Sequence, residues 1–340
     1  MSPLRIIDWV RHQIPEEAIS WVGPCPWTND VAYGTESGKL FMRTPDYAHN
    51  ATWRPVSSEA INGAAFSGDL ACVTSGEDVT IFDRRGPALE KHPFGAHDVV
   101  ALALGGFLAP LGPSGLMVAR FGSDGRVAPR IAAPPSDEIM NYYRACGLGV
   151  VDGVEYFACA SRRGGLIAGQ VPPQSESPKV HGSGQFDFVD VCPLGSAEWP
   201  LAAACLTADG TLFFGRNMVS EPMEMLRIDE FPGRAYSLRR IDNHLIVLAS
   251  EALLVLPDLV AMFRAARPER RPIQKLTISL QASEIFAIGD DLYAIEGDEA
   301  VACPIALLID HPIETSRTDT WSGQTLSESS LSPMAYSFAS

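Results

Sequence analysis

The chain has 340 residues, 46% of them apolar and 20% charged, a balance that excludes a disordered polymer and leaves room for two ordinary domains or one large repeat array. A formal net charge of −15 argues against nucleic acid and against an anionic membrane surface, since both are bound mainly through basic groups. The 29 glycines and 26 prolines point to many turns.

From the N-terminus, MSPLRIIDWVRHQIPEE has only a short apolar patch, broken by Asp8 and Arg11, and does not read as a secretory signal. Within it, LRIIDWV (4–10) reads as a lone strand. VAYGTESGKLFMR (31–43) is a pair of apolar runs around a turn at 36–38. AAFSGDLACVTSGEDVTIFDRRG (64–86) has the order turn, strand, turn, strand, with its second turn at 76–78. The longest uncharged stretch, 99–119, has the length of a bilayer span, but Gly105-Gly106, Pro110, Gly112-Pro113 and Gly115 cut it into three strands and two turns.

ACASRRGGLIAGQ (158–170) and ACLTADGTLFFGR (204–216) are one phrase written twice, 46 residues apart. Laying 145–170 on 191–216 without gaps sets Cys146 on Cys192, Leu148 on Leu194, Gly149 on Gly195, Cys159 on Cys205 and Leu166 on Leu212. IDNHLIVLASEALLVLP (241–257) and IGDDLYAIEGDEAVACPI (288–305) continue the series. Counting the drifted copies gives seven, at intervals of about 40–48 residues, which is propeller-blade spacing.

One four-stranded sheet cannot bury both of its faces, whereas sheets packed radially can, and closing the ring protects their edges. The expected fold is therefore all-β, a seven-bladed β-propeller in a single domain, 1–312. Its blades are expected at about 18–56, 60–94, 98–133, 141–181, 186–229, 234–280 and 283–309. LRIIDWV is expected to supply the outer strand missing from the last blade and so close the ring. The inner strands are expected to be small and apolar, as in VVALALGG (99–106) and PLAAACL (200–206). PDLVAMFRAARPERRP (257–272) reads as a short helical insert in blade six, N-capped by Asp258, with Arg264, Arg267, Arg270 and Arg271 toward its end. The Ser/Thr-rich tail, 313–340, has no period and is expected to lie over the surface or to move freely.

AHDVVALALGG (96–106) resembles the Gly-His opening of a WD40 blade, with Ala96 in place of Gly. ACVTSGEDVTIFDRRG (71–86) resembles its middle strands, with Phe82-Asp83 where that family writes Trp-Asp. The chain is thus similar to a degenerate WD40-like propeller, and the resemblance implies a rigid protein-binding platform without catalysis. It also implies that His97 is a buried structural group.

No catalytic signature stands out. The seven histidines are scattered, no GxSxG occurs, and neither a DxDxDG loop nor a zinc-type cysteine spacing is present. No catalytic residue, metal ligand or cofactor is therefore assigned. The cysteine pairs 146/159 and 192/205 flank hairpin turns symmetrically, and both read as buried free thiols, in keeping with the cytoplasm.

The second turns and the links between blades share one face of a WD40-type propeller. They carry Glu36, Glu59, Glu77, Asp78, Asp98, Asp137, Glu138, Glu251, Glu284, Glu296, Asp298 and Glu299, against Arg162 and Arg163. Such a ring of charge attracts a partner with a basic surface. Trp27 in PCPWTND and Trp321 in DTWSG are aromatic anchors of the kind found at binding hot spots, or pins for their own loops. The protein-binding residues expected are Trp27, Glu77, Asp78, Arg162, Arg163, Glu296, Asp298, Glu299 and Trp321. The function expected is a non-enzymatic interaction scaffold or complex subunit. The alternative is a small-molecule hydrolase or lyase at the central channel, using the strand carboxylates Asp190 and Glu155.

Overall fold

The computed structural model describes residues 9–14, 16–28, 30–42, 52–84, 88–121, 127–133, 141–162, 165–171, 180–183, 186–219, 224–231, 233–250, 252–256, 274–277, 281–309 and 334–335. Seven antiparallel sheets follow one another along the chain, each ordered outward from a central axis. After β1 (Val10–His12), blade one holds β2 (Ile19–Cys25), β3 (Asp30–Thr35), β4 (Lys39–Met42) and β5 (Thr52–Pro55). Blade two holds β6 (Ile61–Ser67), β7 (Leu70–Ser75), β8 (Val79–Asp83) and β9 (Ala88–His92). Blade three holds β10 (Val100–Ala101), β11 (Phe107–Pro110), β12 (Leu116–Phe121) and β13 (Val127–Ala133). Blade four holds β14 (Asn141–Val151), β15 (Val154–Arg162), β16 (Gly165–Gln170) and β17 (Val180–Ser183). Blade five holds β18 (Phe188–Pro193), β19 (Ala203–Thr207), β20 (Thr211–Gly215) and β21 (Glu224–Glu230). Blade six holds β22 (Ala235–Ile241), β23 (His244–Ala249), β24 (Ala252–Leu256) and β25 (Gln274–Thr277). Blade seven holds β26 (Ile285–Ile288), β27 (Asp291–Glu296) and β28 (Glu299–Pro304), followed by the one-turn helix α1 (Ala306–Ile309). A two-residue strand, β29 (Met334–Ala335), runs along the outer edge of β21.

The fold is the expected seven-bladed propeller, and the N-terminus closes it. β1 pairs with β28 in the register Val10↔Ala302, Arg11↔Val301, His12↔Ala300. The closing segment sits further along the chain than LRIIDWV; residues 1–8 lie outside the described residues. Across this pairing Arg11 reaches Glu296 at 2.8 Å and Glu299 at 2.6 Å. The expected helical insert of blade six also lies outside the described residues.

The core is the set of blade interfaces. Phe107, Ala109 and Met117 of blade three pack on Cys72, Val79 and Ile81 of blade two, and Phe157 and Ile167 of blade four pack on Leu108 and Val118 of blade three. The same pattern runs on between blades four and five, five and six, and six and seven, and blade one is held between seven and two. The middle strands β19, β20 and β24 are buried throughout, because each has a neighbouring blade on both faces.

Of the two apolar stretches expected as inner strands, one holds only in part and the other takes another place. In 99–106 only Val100–Ala101 is strand. Leu102–Gly106 form a turn, closed by Leu102 N–H donating to Gly106 O and Gly105 N–H to Leu102 O, each at 3.0 Å. PLAAACL belongs to the second strand of blade five, and its inner strand is Phe188–Pro193.

Blades one and five share one turn chemistry between their second and third strands. Gly38 and Gly210 donate to the carbonyls of Thr35 and Thr207, at 3.1 and 3.0 Å. The threonine hydroxyls accept from Lys39 N–H and Thr211 N–H at 3.1 and 2.9 Å. The glycine carbonyls then accept the link to the next blade, Val56 N–H and Phe231 N–H, both at 2.9 Å. Gly38 sits at φ +76°, with an added Cβ falling 2.2 Å from Ser57 O; Gly210 sits at φ +89°, with its Cβ falling 2.5 Å from Phe231 O. Both Gly38→Ala and Gly210→Ala are therefore expected to destabilise the fold by about 1–3 kcal/mol, read as a lower urea midpoint at unchanged slope.

Candidate functional site

The upper face of the ring is formed by the turns between second and third strands and by the links between blades. Glu77 is exposed there, in the turn of blade two. Asp78, beside it, is buried: its carboxylate meets Lys91 Nζ at 2.9 Å and accepts from Ser57 Oγ at 3.3 Å and Thr80 Oγ1 at 3.2 Å. Asp78 is thus placed as an acceptor inside the blade rather than on the surface. Glu296 and Glu299 are half-buried partners of Arg11, which holds the Glu299 carboxyl below the usual range. Asp298 is exposed, and its carbonyl accepts Ile19 N–H at 3.0 Å across the seam between blades seven and one. The Arg162 side chain, Arg163 and Trp321 lie outside the described residues, as do Asp137, Glu138 and Glu251.

Trp27 is on the other face, in the turn between the first two strands of blade one. Its indole N–H donates to Gly68 O at 2.8 Å, and its ring stands edge-on to Phe66 with centroids 4.8 Å apart. It pins blade one to blade two, not a loop to its own blade.

Two more carboxylates of the expected acidic ring, Asp98 and Glu284, turn inward. With Arg144, Asp190 and Arg239 they build a network across the channel from five successive blades, three to seven. Arg239 Nη1 meets Asp190 Oδ2 at 2.8 Å, and its Nη2 meets Glu284 Oε1 at 3.1 Å. Arg144 Nη1 lies 3.5 Å from Asp98 Oδ1, and its Nη2 is paired with Glu284. Backbone donors also serve two of the carboxylates: Val99 N–H on Asp98 at 2.8 Å, Val191 N–H on Asp190 at 2.9 Å and Leu238 N–H on Asp190 at 2.8 Å. The hydroxyl of Ser237 adds a further bond to Asp190 at 3.2 Å. The inner strands are thus not uniformly apolar as expected.

A backbone device aims these side chains. The register of the inner strand shifts at Ile19/Trp21, Ile61/Gly63, Tyr142/Arg144, Phe188/Asp190 and Ala235/Ser237. A bulge at a strand end redirects the residue that follows, and here the followers include Arg144, Asp190 and Ser237. Burial pushes Asp98 and Glu284 above the usual carboxylate range, against the pull of the arginines. Burial acts downward on Arg144 and Arg239, but the surrounding carboxylates outweigh it and both guanidiniums hold their charge.

The network lies toward the upper end of the channel, at the heads of the inner strands. Toward the lower face the inner strands open into a cavity of about 590 Å³ whose wall includes Arg239 and Arg240. Glu155, the other strand carboxylate of the hydrolase reading, is elsewhere. It accepts from Ala103 N–H and from Leu104 N–H at 3.4 Å, and pairs with Arg120 at 2.7 Å, clamping blade three to blade four. Among the described residues no group of three or more His, Cys, Asp or Glu is arranged to hold a metal ion. All seven cysteines are buried free thiols; burial pushes Cys192 up to about 12 and raises Cys72, Cys159 and Cys205 as well, which leaves them poor nucleophiles.

No protein-family model matches the chain, and no curated protein matches it in sequence. Among solved structures it is similar to the β-propeller domain of Cps50 (Swd1) from Myceliophteria thermophila, with a TM-score of 0.65 at 9% identity, over 87% of this chain and 99% of that one. That likeness shows the fold.

Removing one partner from the channel network strands buried opposite charges. Arg144→Met is expected to cost about 3–5 kcal/mol, measured by urea unfolding. Glu284 titrates higher folded than unfolded, so its contribution is greatest at low pH and is lost as pH rises through and above the ordinary carboxylate range near 4.3. Urea midpoints of wild type and Glu284→Gln at pH 4.5, 6 and 7.5 should show wild type losing ground to the variant as pH rises.

Proposed function

We propose that the chain is a degenerate WD40-like propeller that acts as a non-enzymatic scaffold or complex subunit, binding a protein with a basic surface through the upper face. The observation that carries this reading is a division among the acidic residues of that face. Asp78, Asp98, Glu284, Glu296 and Glu299 are spent on internal pairs. Asp298, Glu36, Glu59 and Glu77 stay exposed, on three successive blades, seven, one and two. Carboxylates mounted side by side on a rigid rim raise the local concentration of a cationic partner and speed its arrival.

Asp190 and Glu155, the carboxylates required by the hydrolase reading, have their oxygens committed to structural hydrogen bonds, which favours the scaffold. Seven unpaired thiols suit a reducing compartment, and we place the protein in the cytoplasm. Among the described residues no helix is long and apolar enough to cross a membrane.

The test is capture from native lysate at low and at high salt, using wild type and a variant carrying Glu36→Lys, Glu59→Lys, Glu77→Lys and Asp298→Lys. The expected result is a stoichiometric partner that is retained by wild type, weakened by salt and lost from the folded variant. Recovery of the bare monomer alone, or a partner indifferent to the four changes, would count against the acidic face.

A further inference from the structure

The charged network lies toward one end of the channel, and the cavity of about 590 Å³ toward the other. That volume is in the range of small-molecule sites, about 300–1,000 Å³. Pro24, Leu148, Pro193 and Phe286 give the cavity an apolar wall, drawn from blades one, four, five and seven. Both charged residues on the wall are arginines, and none of the three network carboxylates reaches it.

The two arginines differ. Arg239 is committed upward to Asp190 and Glu284 and lies over the Phe286 ring, its guanidinium carbon 5.7 Å from the centroid. Arg240 donates from Nε to Asp242 O at 2.9 Å and from Nη1 to Gly195 O at 3.3 Å. Among the described residues it pairs with no carboxylate. It is a half-buried cation, held in place by two main-chain carbonyls, at the edge of an apolar space. Gly147 borders the space, and a side chain there would enter it: a Cβ built at Gly147 meets no atom within 4 Å.

We propose that this cavity binds a small organic anion, its apolar body lodged between Leu148, Pro193 and Phe286 and its carboxylate or sulfonate set against the Arg240 guanidinium. A bond from a fixed guanidinium to an anion is a strong one, and the apolar wall contributes in proportion to the area it covers. The site faces away from the acidic rim, so it stands or falls independently of partner binding there.

The probes are 8-anilinonaphthalene-1-sulfonate and its uncharged relative N-phenyl-1-naphthylamine, titrated by fluorescence against the full chain. The sulfonate is expected to bind saturably at one site, at least about tenfold tighter than the neutral amine, with the difference shrinking as salt rises. Arg240→Gln should weaken the sulfonate by about tenfold and leave the amine unchanged. Gly147→Trp should weaken binding of both by occupying part of the space; Gly147 lies in a strand outside the left-handed region, so its backbone accepts a side chain. Circular dichroism and thermal unfolding establish that each variant is folded. Absence of saturable sulfonate binding, equal binding of the two probes, or wild-type binding by either folded variant would overturn the proposal. Should a variant fail to fold, the ratio of the two probes on wild type decides alone.

Discussion

A four-stranded sheet with two apolar faces has nowhere to put them except against two others like it, and that requirement governs the whole molecule. Every hydrophobic cluster among the described residues joins residues of neighbouring blades. No blade therefore has a core of its own. Stability comes from contacts made sideways around the ring, and the ring must be complete for the blades at its seam to share in it. The glycine turns at Gly38 and Gly210 serve the same end: each gives its carbonyl to the link that leads into the next blade, which sets the position of one sheet relative to another.

The axis obeys a different rule. Converging inner strands cannot fill a seven-fold channel with small apolar side chains alone, and here long charged ones meet across it. Arg144 on blade four and Glu284 at the start of blade seven reach each other over the gap, with Arg239 and Asp190 alongside. A buried ionic cluster is a poor source of net stability compared with packed hydrocarbon. What it supplies is a fixed geometry, because Asp98 and Asp190 each also accept a backbone N–H from the next inner strand, from Ala145 and Leu238. Carboxylates of one upper face thus have two fates, some turned in as ties between blades and some left in water.

The repeat made the fold legible in the sequence. Strand pairs around turn residues, copied at near-constant spacing, led to seven blades without any family signature, and the closing strand followed from a sheet one strand short. The channel was harder to see. Extending the alignment of 145–170 on 191–216 back by one residue sets Arg144 on Asp190, and two further repeats, each one residue longer, bring Ser237 and then Glu284 into the same column. The signal was present as a polar position recurring at the head of the inner strands of blades three to seven, but apolar runs define strands, and a single charge ahead of such a run reads as a loop. The acidic turns were legible as a group; which of them face water was not. That depends on partners outside the turn itself, such as Lys91 on the outer strand for Asp78 and Arg11 at the far end of the chain for Glu299. Trp27 shows the same limit, since its partner Gly68 belongs to the next repeat.

The closing strand is the first of these strands to be synthesised, and its partner β28 is the last strand of the seven blades. Arg11 and Glu299 are 288 positions apart. At ribosomal rates of roughly 5–20 residues per second, β1 waits about 15–60 seconds for the strand it will pair with. During that interval blade one presents an uncovered flank, and the nascent chain is an open arc with two sticky ends. Closing so large a loop is slow in entropic terms, so biogenesis of this protein is a race between the arrival of β28 and the capture of that arc by another chain.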